Sequence, residues 1–235
     1  MKHIVAISGG KDSTAMALRL AEIKENEYEY IFTPTGNELP ELFEHLTRIQ
    51  DILKTEIKNI SPGCDLIGLS REMNAIPNWR MRFCTRILKI EPYQQYVRKN
   101  LPICSYVGLR ADEDGRAGLE WDNEPRYKSV YPLREWNWGI SEVVGYLNRK
   151  KITIPRRTDC ALCFFQSLYE WYLLDKEYPD LYQQGVDLEK EIGYTFRSET
   201  KDNWPGALDC LRKEFKSGRI PVQRKRKMKC RICAK

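Results

Sequence analysis

The sequence predicts an α/β fold: a parallel sheet with helices on both faces, joined to a smaller helical part that carries cysteines. Three observations predict it. Short apolar runs rich in β-branched and aromatic residues alternate with longer segments of helical periodicity, as strands do with crossover helices. The first such run ends in a glycine pair that opens directly into a helical segment. The chain has 235 residues, 42% hydrophobic and 31% charged, which suits a globular protein of one sizeable domain plus an appendage, or two small domains.

The elements follow in order. His3 to Ile7 is an apolar run ended by glycines, and Thr14 to Ile23 carries Ala17, Leu20 and Ala21 at helical spacing. Tyr28 to Thr33 fits a second strand. Pro40 opens a longer amphipathic segment with Leu42, Leu46, Ile49 and Leu53 on one face, and Thr55 to Ile60 alternates like a third strand. A basic stretch over Ile76 to Pro92 precedes a strand over Ile103 to Leu109, which runs into a charged loop over Ala111 to Trp121. Ser141 to Leu147 reads as a short helix with Ser141 as its N-cap. Beyond Pro155 the pattern changes to aromatic-rich helices without β-branched runs, so the expected domains are 1–155 and 156–235.

Charge and cysteine usage narrow the function classes. Of 39 Lys and Arg, nine lie in Lys216 to Lys235 with no Asp or Glu, leaving 30 basic against 33 acidic residues elsewhere, a net −3. The basic character belongs to the tail. The opening MKHIVAIS is too short for a secretion signal core, and no window approaches the roughly 20 apolar residues of a membrane span, so a cytoplasmic protein without a membrane partner is expected. In that compartment eight cysteines are read as reduced, metal-bound or redox-active.

The stretch Ile7-Ser-Gly-Gly-Lys-Asp-Ser-Thr14 raises the chemical question. A strand feeding glycines into a helix start aims backbone N–H groups and the positive end of the helix dipole at one point, which favours an anion. Neither the mononucleotide P-loop nor the dinucleotide fingerprint matches. A plain glycine turn, capped by Asp12 or Ser13, is the competing account. The stretch resembles, residue for residue, the SGGxDS signature of the PP-loop ATP pyrophosphatases, which cut ATP between its α and β phosphates and adenylate a substrate. By that resemblance Ser8, Gly9, Gly10, Asp12 and Ser13 form the phosphate cradle, Lys11 adds charge, and Asp12 helps place Mg²⁺.

Further blocks extend the resemblance. Thr33-Pro-Thr-Gly-Asn-Glu-Leu-Pro40, Arg82-Phe-Cys-Thr-Arg-Ile-Leu-Lys89, Gly108-Leu-Arg-Ala-Asp-Glu-Asp-Gly-Arg116 and Tyr131-Pro-Leu-Arg-Glu-Trp136 look like successive blocks of the phosphoadenosine phosphosulfate (PAPS) reductase family. The fold this implies is Rossmann-like, of the adenine nucleotide alpha hydrolase type. Reductases of the family act on a nucleotide that already carries activated sulfate and generally have a degraded loop. Here the loop is intact, which favours an ATP-using sulfurtransferase-like relative over a sulfonucleotide reductase. The resemblance makes Gly36, Glu38, Arg82, Lys89, Gly108, Arg110 and Arg116 nucleotide-binding candidates beside the loop, and Lys11, Asp12 and Cys84 catalytic candidates. For Asn37-Glu38 a turn and helix cap is the alternative, and for Arg110 and Arg116 salt bridges to Asp112, Glu113 or Asp114. Arg82, Arg86 and Lys89 surround Cys84 with positive charge, which favours a thiolate and makes Cys84 a candidate sulfur carrier or cluster ligand; a solvated basic helix face is the competing account.

Two CxxC pairs, Cys160 with Cys163 and Cys230 with Cys233, can together present four sulfurs to zinc or an iron-sulfur cluster, although 66 residues separate them. Independent dithiol pairs or buried thiols are the alternatives. Within the family a CxxC at Cys160 and Cys163 often belongs to a [4Fe-4S] site. Cys64, Cys104 and Cys210 are expected in the core. Arg224-Lys-Arg-Lys227 can neutralise phosphates of tRNA or DNA, or only keep a terminus solvated. Tyr169, Trp171, Tyr172, Tyr178 and Tyr182 can stack on bases, but aromatic residues at such spacing are more often core. The expected activity is Mg-ATP cleavage to AMP and pyrophosphate for sulfur transfer, with a sulfur-donor protein as partner. Reduction of an adenylyl sulfate and a non-catalytic nucleic-acid-binding module are the alternatives.

Overall fold

A computed structural model describes residues 1–113, 115–116, 124–199 and 202–223. Five strands form one parallel sheet in the order β3-β2-β1-β4-β5: β1 Lys2–Ala6, β2 Tyr28–Phe32, β3 Ile57–Asn59, β4 Ile103–Tyr106 and β5 Tyr127–Val130. Helices α1 Lys11–Ile23, α2 Pro40–Leu53, α5 Glu91–Lys99, α6 Pro132–Glu135 and α7 Ile140–Arg149 accompany the sheet. The expected Rossmann-like architecture is what the chain adopts.

The side-chain period of a strand explains how both faces are covered. Val5, Tyr30, Phe32, Cys104 and Tyr106 point to one face and pack with Ala17, Leu20, Leu42, Ile49, Val143 and Leu147 of α1, α2 and α7. Ile4, Ile31 and Ile103 point to the other, against Val97, Tyr93 and Tyr96 of α5. Central strands are therefore buried on both sides. The edge strand β3 buries Ile57 and exposes Lys58 and Asn59. Pro40 stands at the start of α2, where its missing N–H costs nothing.

Chain contacts divide the molecule into two compact units. The first holds residues 1–34, 38–62 and 89–158, and the second 35–37, 63–88 and 159–235. A single cut near residue 155 therefore does not separate them, because two earlier segments join the second unit. That unit contains α3 Leu66–Glu72, the turn α4 Phe83–Thr85, α8 Leu168–Glu177, α9 Pro179–Ile192 and α10 Leu208–Lys216, the helical C-terminal part expected. A π-helical turn spans Arg86–Ile90. Trp171 and Tyr182 are wholly buried and meet edge to face, so these aromatics are core.

Some expectations are corrected. Ser141 does not cap α7: Gly139 is its N-cap, Glu142 accepts from the Gly139 N–H at 2.9 Å, and Asp112 accepts from the Ile140 N–H at 3.1 Å. Cys104 is buried, but Cys64 is only half-buried and Cys210 is exposed, because α10 turns Leu208, Leu211 and Phe215 inward instead. Strand β5 was not expected; its Tyr-Lys-Ser-Val sequence is half-buried and carries little apolar signal. Among the described residues no helix is long and apolar enough to cross a membrane.

Two ionisable groups, Glu29 half-buried and His45 buried, pin the first unit. Burial alone would raise the Glu29 carboxyl, but hydrogen bonds from Lys2, Lys58 and Tyr96 hold it at about 2. His45 on α2 meets Thr14 on α1 at 3.2 Å, and burial, with Arg48 nearby, pulls its pKa down to about 4.

Since an unfolded histidine takes its proton near 6.5 and folded His45 only near 4, the unfolded chain binds more protons between those values. The stability from keeping His45 neutral is complete above pH 6.5 and is lost towards pH 4, by about 3 kcal/mol in all. His45→Gln keeps a partner for Thr14 and takes no proton. Urea unfolding over this pH range should show the variant losing less stability than the parent; parallel curves would refute the assignment.

Candidate functional site

Strand β1 sits where the sheet order reverses, with β2 on one side and β4 on the other. In open α/β sheets the crevice beyond the strand ends at such a point is where ligands bind. Both walls of this crevice come from the first unit: the loop 7–10 after β1, and residues 107–113 and 115–116 after β4.

The first loop holds its own shape. Ser13 Oγ donates to the Gly10 carbonyl at 3.1 Å and accepts from the Ser8 N–H at 3.1 Å. The Ser8 and Ser13 hydroxyls meet at 3.0 Å. Gly9 lies at φ +72°, and a Cβ there would come within 2.2 Å of Leu42 Cδ1, so the fold itself demands glycine. Gly10 is different. Its φ is −71°, and a Cβ would meet nothing nearer than Ser8 Oγ at 3.4 Å. Packing does not require a glycine at Gly10, whereas close approach of a ligand would. No side chain caps α1, so its first-turn amides and dipole face the crevice. Ser13 does hold the turn, through the Ser8 N–H and the Gly10 carbonyl, as the plain-turn account expected, while Asp12 pairs with Lys11 and Arg110.

The second wall locks onto the first. A Cβ on Gly108 would lie 3.2 Å from the Ser13 N, so Gly108 packs on the loop backbone and positions it. Arg110 Nη1 reaches Asp12 Oδ2 at 3.0 Å, and its Nε reaches Asp112 Oδ1 at 2.7 Å. The Arg110 side chain is 4% exposed. Burial alone would disfavour its charge, but Asp12, Asp112 and Glu113 more than offset this and raise its pKa above the ordinary arginine value. Lys11 Nζ also reaches Asp12 Oδ2, at 3.0 Å. The other oxygen, Asp12 Oδ1, is buried with no hydrogen-bond partner among the described residues. Arg116 pairs with Glu113 at 2.9 Å. Both arginines thus stand in ion pairs, as the salt-bridge alternative expected, although Asp114 lies outside the described residues. Arg134, given no role from sequence, donates to the carbonyls of Glu113 at 3.2 Å and Arg116 at 2.7 Å and so folds this wall. Its place in the Tyr131–Trp136 block was the signal available.

The second unit gathers other candidates. Gly36 lies at φ +72°, with Asp65 so close that a Cβ would come within 2.5 Å of its Cβ; glycine is needed here for packing. The Thr35 carbonyl accepts from the Leu66 N–H at 2.8 Å, and Thr35 Oγ1 donates to Cys160 Sγ at 3.3 Å. Asn37 accepts from two successive amides of the first CxxC turn, Ala161 through its carbonyl at 2.6 Å and Leu162 through Oδ1 at 2.9 Å. Asn37 is therefore a clamp on that turn, and the N-cap of α2 is Leu39. Cys84 and Cys163 are half-buried, and Arg82 stacks over Phe165 at 5.6 Å. Glu38 is buried in the first unit, where Lys89 also lies.

The structure thus brings Ser8, Gly9, Gly10, Lys11, Asp12, Ser13, Gly108, Arg110 and Arg116 together in one unit, and places Gly36, Arg82, Cys84, Cys160 and Cys163 in the other. Cys230, Cys233 and the Arg224–Lys227 run lie outside the described residues. Among the described residues no three His, Cys, Asp or Glu side chains converge to hold a metal. Cys160 and Cys163 alone supply half of a four-thiolate set. His3 and His45 are engaged with Tyr106 and Thr14.

Over residues 2–156 the sequence matches the phosphoadenosine phosphosulfate reductase domain. Two uncharacterized proteins of Methanocaldococcus jannaschii are similar to it. One is 24% identical over 213 residues, 86% of this chain and 44% of that protein. The other is 24% identical over 200 residues, 80% of this chain and 48% of that protein. The chain spans about half the length of the curated relatives it matches. A solved structure of PAPS reductase from Candida auris, in a phosphate complex, superposes with a TM-score of 0.51 at 14% identity, covering 66% of this chain and 75% of that one. At that identity the likeness shows the fold alone.

The two loop glycines should separate in thermal unfolding. Gly9→Ala is expected to cost about 1–3 kcal/mol through its left-handed φ and the Leu42 clash. Gly10→Ala should stay within about 0.5 kcal/mol of the parent. Asn37→Ala should cost about 1–3 kcal/mol in the same assay, because the buried Leu162 amide loses its acceptor; an unchanged midpoint would remove the clamp.

Proposed function

The chain belongs to the phosphoadenosine phosphosulfate reductase domain family, and from that premise we propose that it binds ATP at Ser8–Ser13 and adenylates an acceptor for sulfur transfer. One observation carries this reading. The loop is complete and self-supporting, with uncapped helix amides, a glycine at Gly10 that packing does not need, and an unpartnered carboxylate oxygen on Asp12. Such a cradle suits a diphosphate. A nucleotide that already carries sulfate would leave it without work.

In the proposed reaction an acceptor oxygen attacks the α phosphorus, the bond to the bridging α,β oxygen breaks, and pyrophosphate leaves with the electron pair. A sulfur nucleophile then displaces AMP from the adenylated acceptor. The α1 amides and Lys11 stabilise charge that builds on the departing pyrophosphate. The Ser8 and Ser13 hydroxyls keep those amides in register, and Arg110 fixes the Asp12 carboxylate while leaving Oδ1 open. The buried Oδ1 fits a divalent cation, and Asp12 is the residue that would hold Mg²⁺, whose contribution would be charge neutralisation on the phosphates. For zinc or a [4Fe-4S] cluster the described thiols do not suffice. Cys84, half-buried in the second unit, is the thiol we propose for sulfur handling. The basic tail would bring a tRNA or DNA acceptor, and a separate protein would donate the sulfur.

Mg-ATP is expected to raise the unfolding temperature of the parent by about 3–8 °C at saturating concentration. Asp12→Asn and Gly10→Ala should abolish that shift, and Asp12→Asn should cut pyrophosphate release about 100-fold or more. No thermal response to ATP, together with sulfite release from an adenylyl sulfate and a dithiol, would replace this reading with reduction.

A further inference from the structure

Trp79 is 67% exposed and Met81 51% exposed, an unusual position for two large apolar side chains. They do not sit on a loose tip. Asn78 Oδ1 accepts from the N–H groups of Arg80 at 2.9 Å and Met81 at 3.0 Å, and the Asn78 N–H donates to the Met81 carbonyl at 3.2 Å. Buried Ile76 and Phe83 anchor the chain on either side. The turn therefore presents Trp79 with little left to order on binding. Arg80 lies over the indole ring at 4.6 Å.

Along the chain the segment is basic. Residues 73–88 contain Arg80, Arg82 and Arg86 and no Asp or Glu, in a chain that carries 33 acidic residues. A flat aromatic face in water, with a guanidinium stacked on it, in a segment whose charged residues are all arginines, matches a ligand that alternates planar rings with anions. Bases stack on such rings, and phosphates pair with guanidinium groups. A protein partner would need an apolar pocket for Trp79 and carboxylates for the arginines, whereas an unpaired nucleotide supplies both properties in one repeating unit.

We propose that the Asn78–Met81 turn is a stacking platform for single-stranded nucleic acid, with a base on Trp79 and the neighbouring phosphate on Arg80. These residues are distant in sequence from the basic tail, and the proposal does not depend on the adenylation reading.

The test is fluorescence anisotropy of labelled mixed-sequence 20-mer DNA and RNA with the full chain, so that the tail is present in every variant. Trp79→Ala should weaken binding about tenfold and Trp79→Phe should restore it to within about threefold. Arg80→Ala should weaken binding and reduce the slope of log affinity against log salt by roughly one. Thermal unfolding and the response to Mg-ATP should be unchanged in Trp79→Ala, which separates failure here from failure of the adenylation reading. The DNA and RNA arms show which strand is preferred. The proposal is overturned if the parent does not bind, if Trp79→Ala binds within about twofold of the parent, or if poly-glutamate binds as tightly with the same loss on substitution.

Discussion

A buried guanidinium shared among carboxylates holds the candidate site together. Arg110 is almost wholly out of water, and its charge is tolerated only because Asp12 and Asp112 take its hydrogen bonds and Glu113 stands near. Removing one partner of such a group leaves an uncompensated charge, which costs far more than the pair contributes. Asp12 stands in the first turn of α1, and Asp112 also accepts from the first amide of α7, so one side chain ties the crevice walls to a core helix. The same bonds aim one Asp12 oxygen at its cations and leave the other buried without a hydrogen-bond partner among the described residues.

Close backbone packing does the rest. Gly9 lets α2 press against the loop, and Gly108 lets the second wall rest on the start of α1. Neither glycine has to touch a ligand to matter, since each sets where the helix amides stand. Gly10 alone is left without such a reason, which is why it is the better probe of binding. Arg134 completes the arrangement by satisfying carbonyls of a loop that has no regular secondary structure.

The second unit is organised on a comparable plan around a different residue. Asn37 offers its carbonyl and its side-chain oxygen to consecutive amides of the Cys160–Cys163 turn, and Thr35 places a donor on Cys160. The thiols therefore stand on a rigid turn whose middle residues, Ala161 and Leu162, are wholly buried.

By itself the sequence determined the elements and the loop. Ile4 and Val5 on opposite faces, or Leu42, Leu46 and Ile49 on one face, are repeats imposed by strand and helix geometry, so they are written locally and can be read locally. The Ser8–Ser13 motif is likewise contiguous. Tertiary structure alone decided what binds across distance: Arg110 to Asp12, 98 positions apart, and Asn37 to Leu162, 125 apart. It also decided that Gly36 serves packing, that Gly139 caps α7 in place of Ser141, and that Cys210 faces water. An ion pair or a buried amide's acceptor leaves no period in the chain, because its partners are chosen by the fold after the strands have aligned.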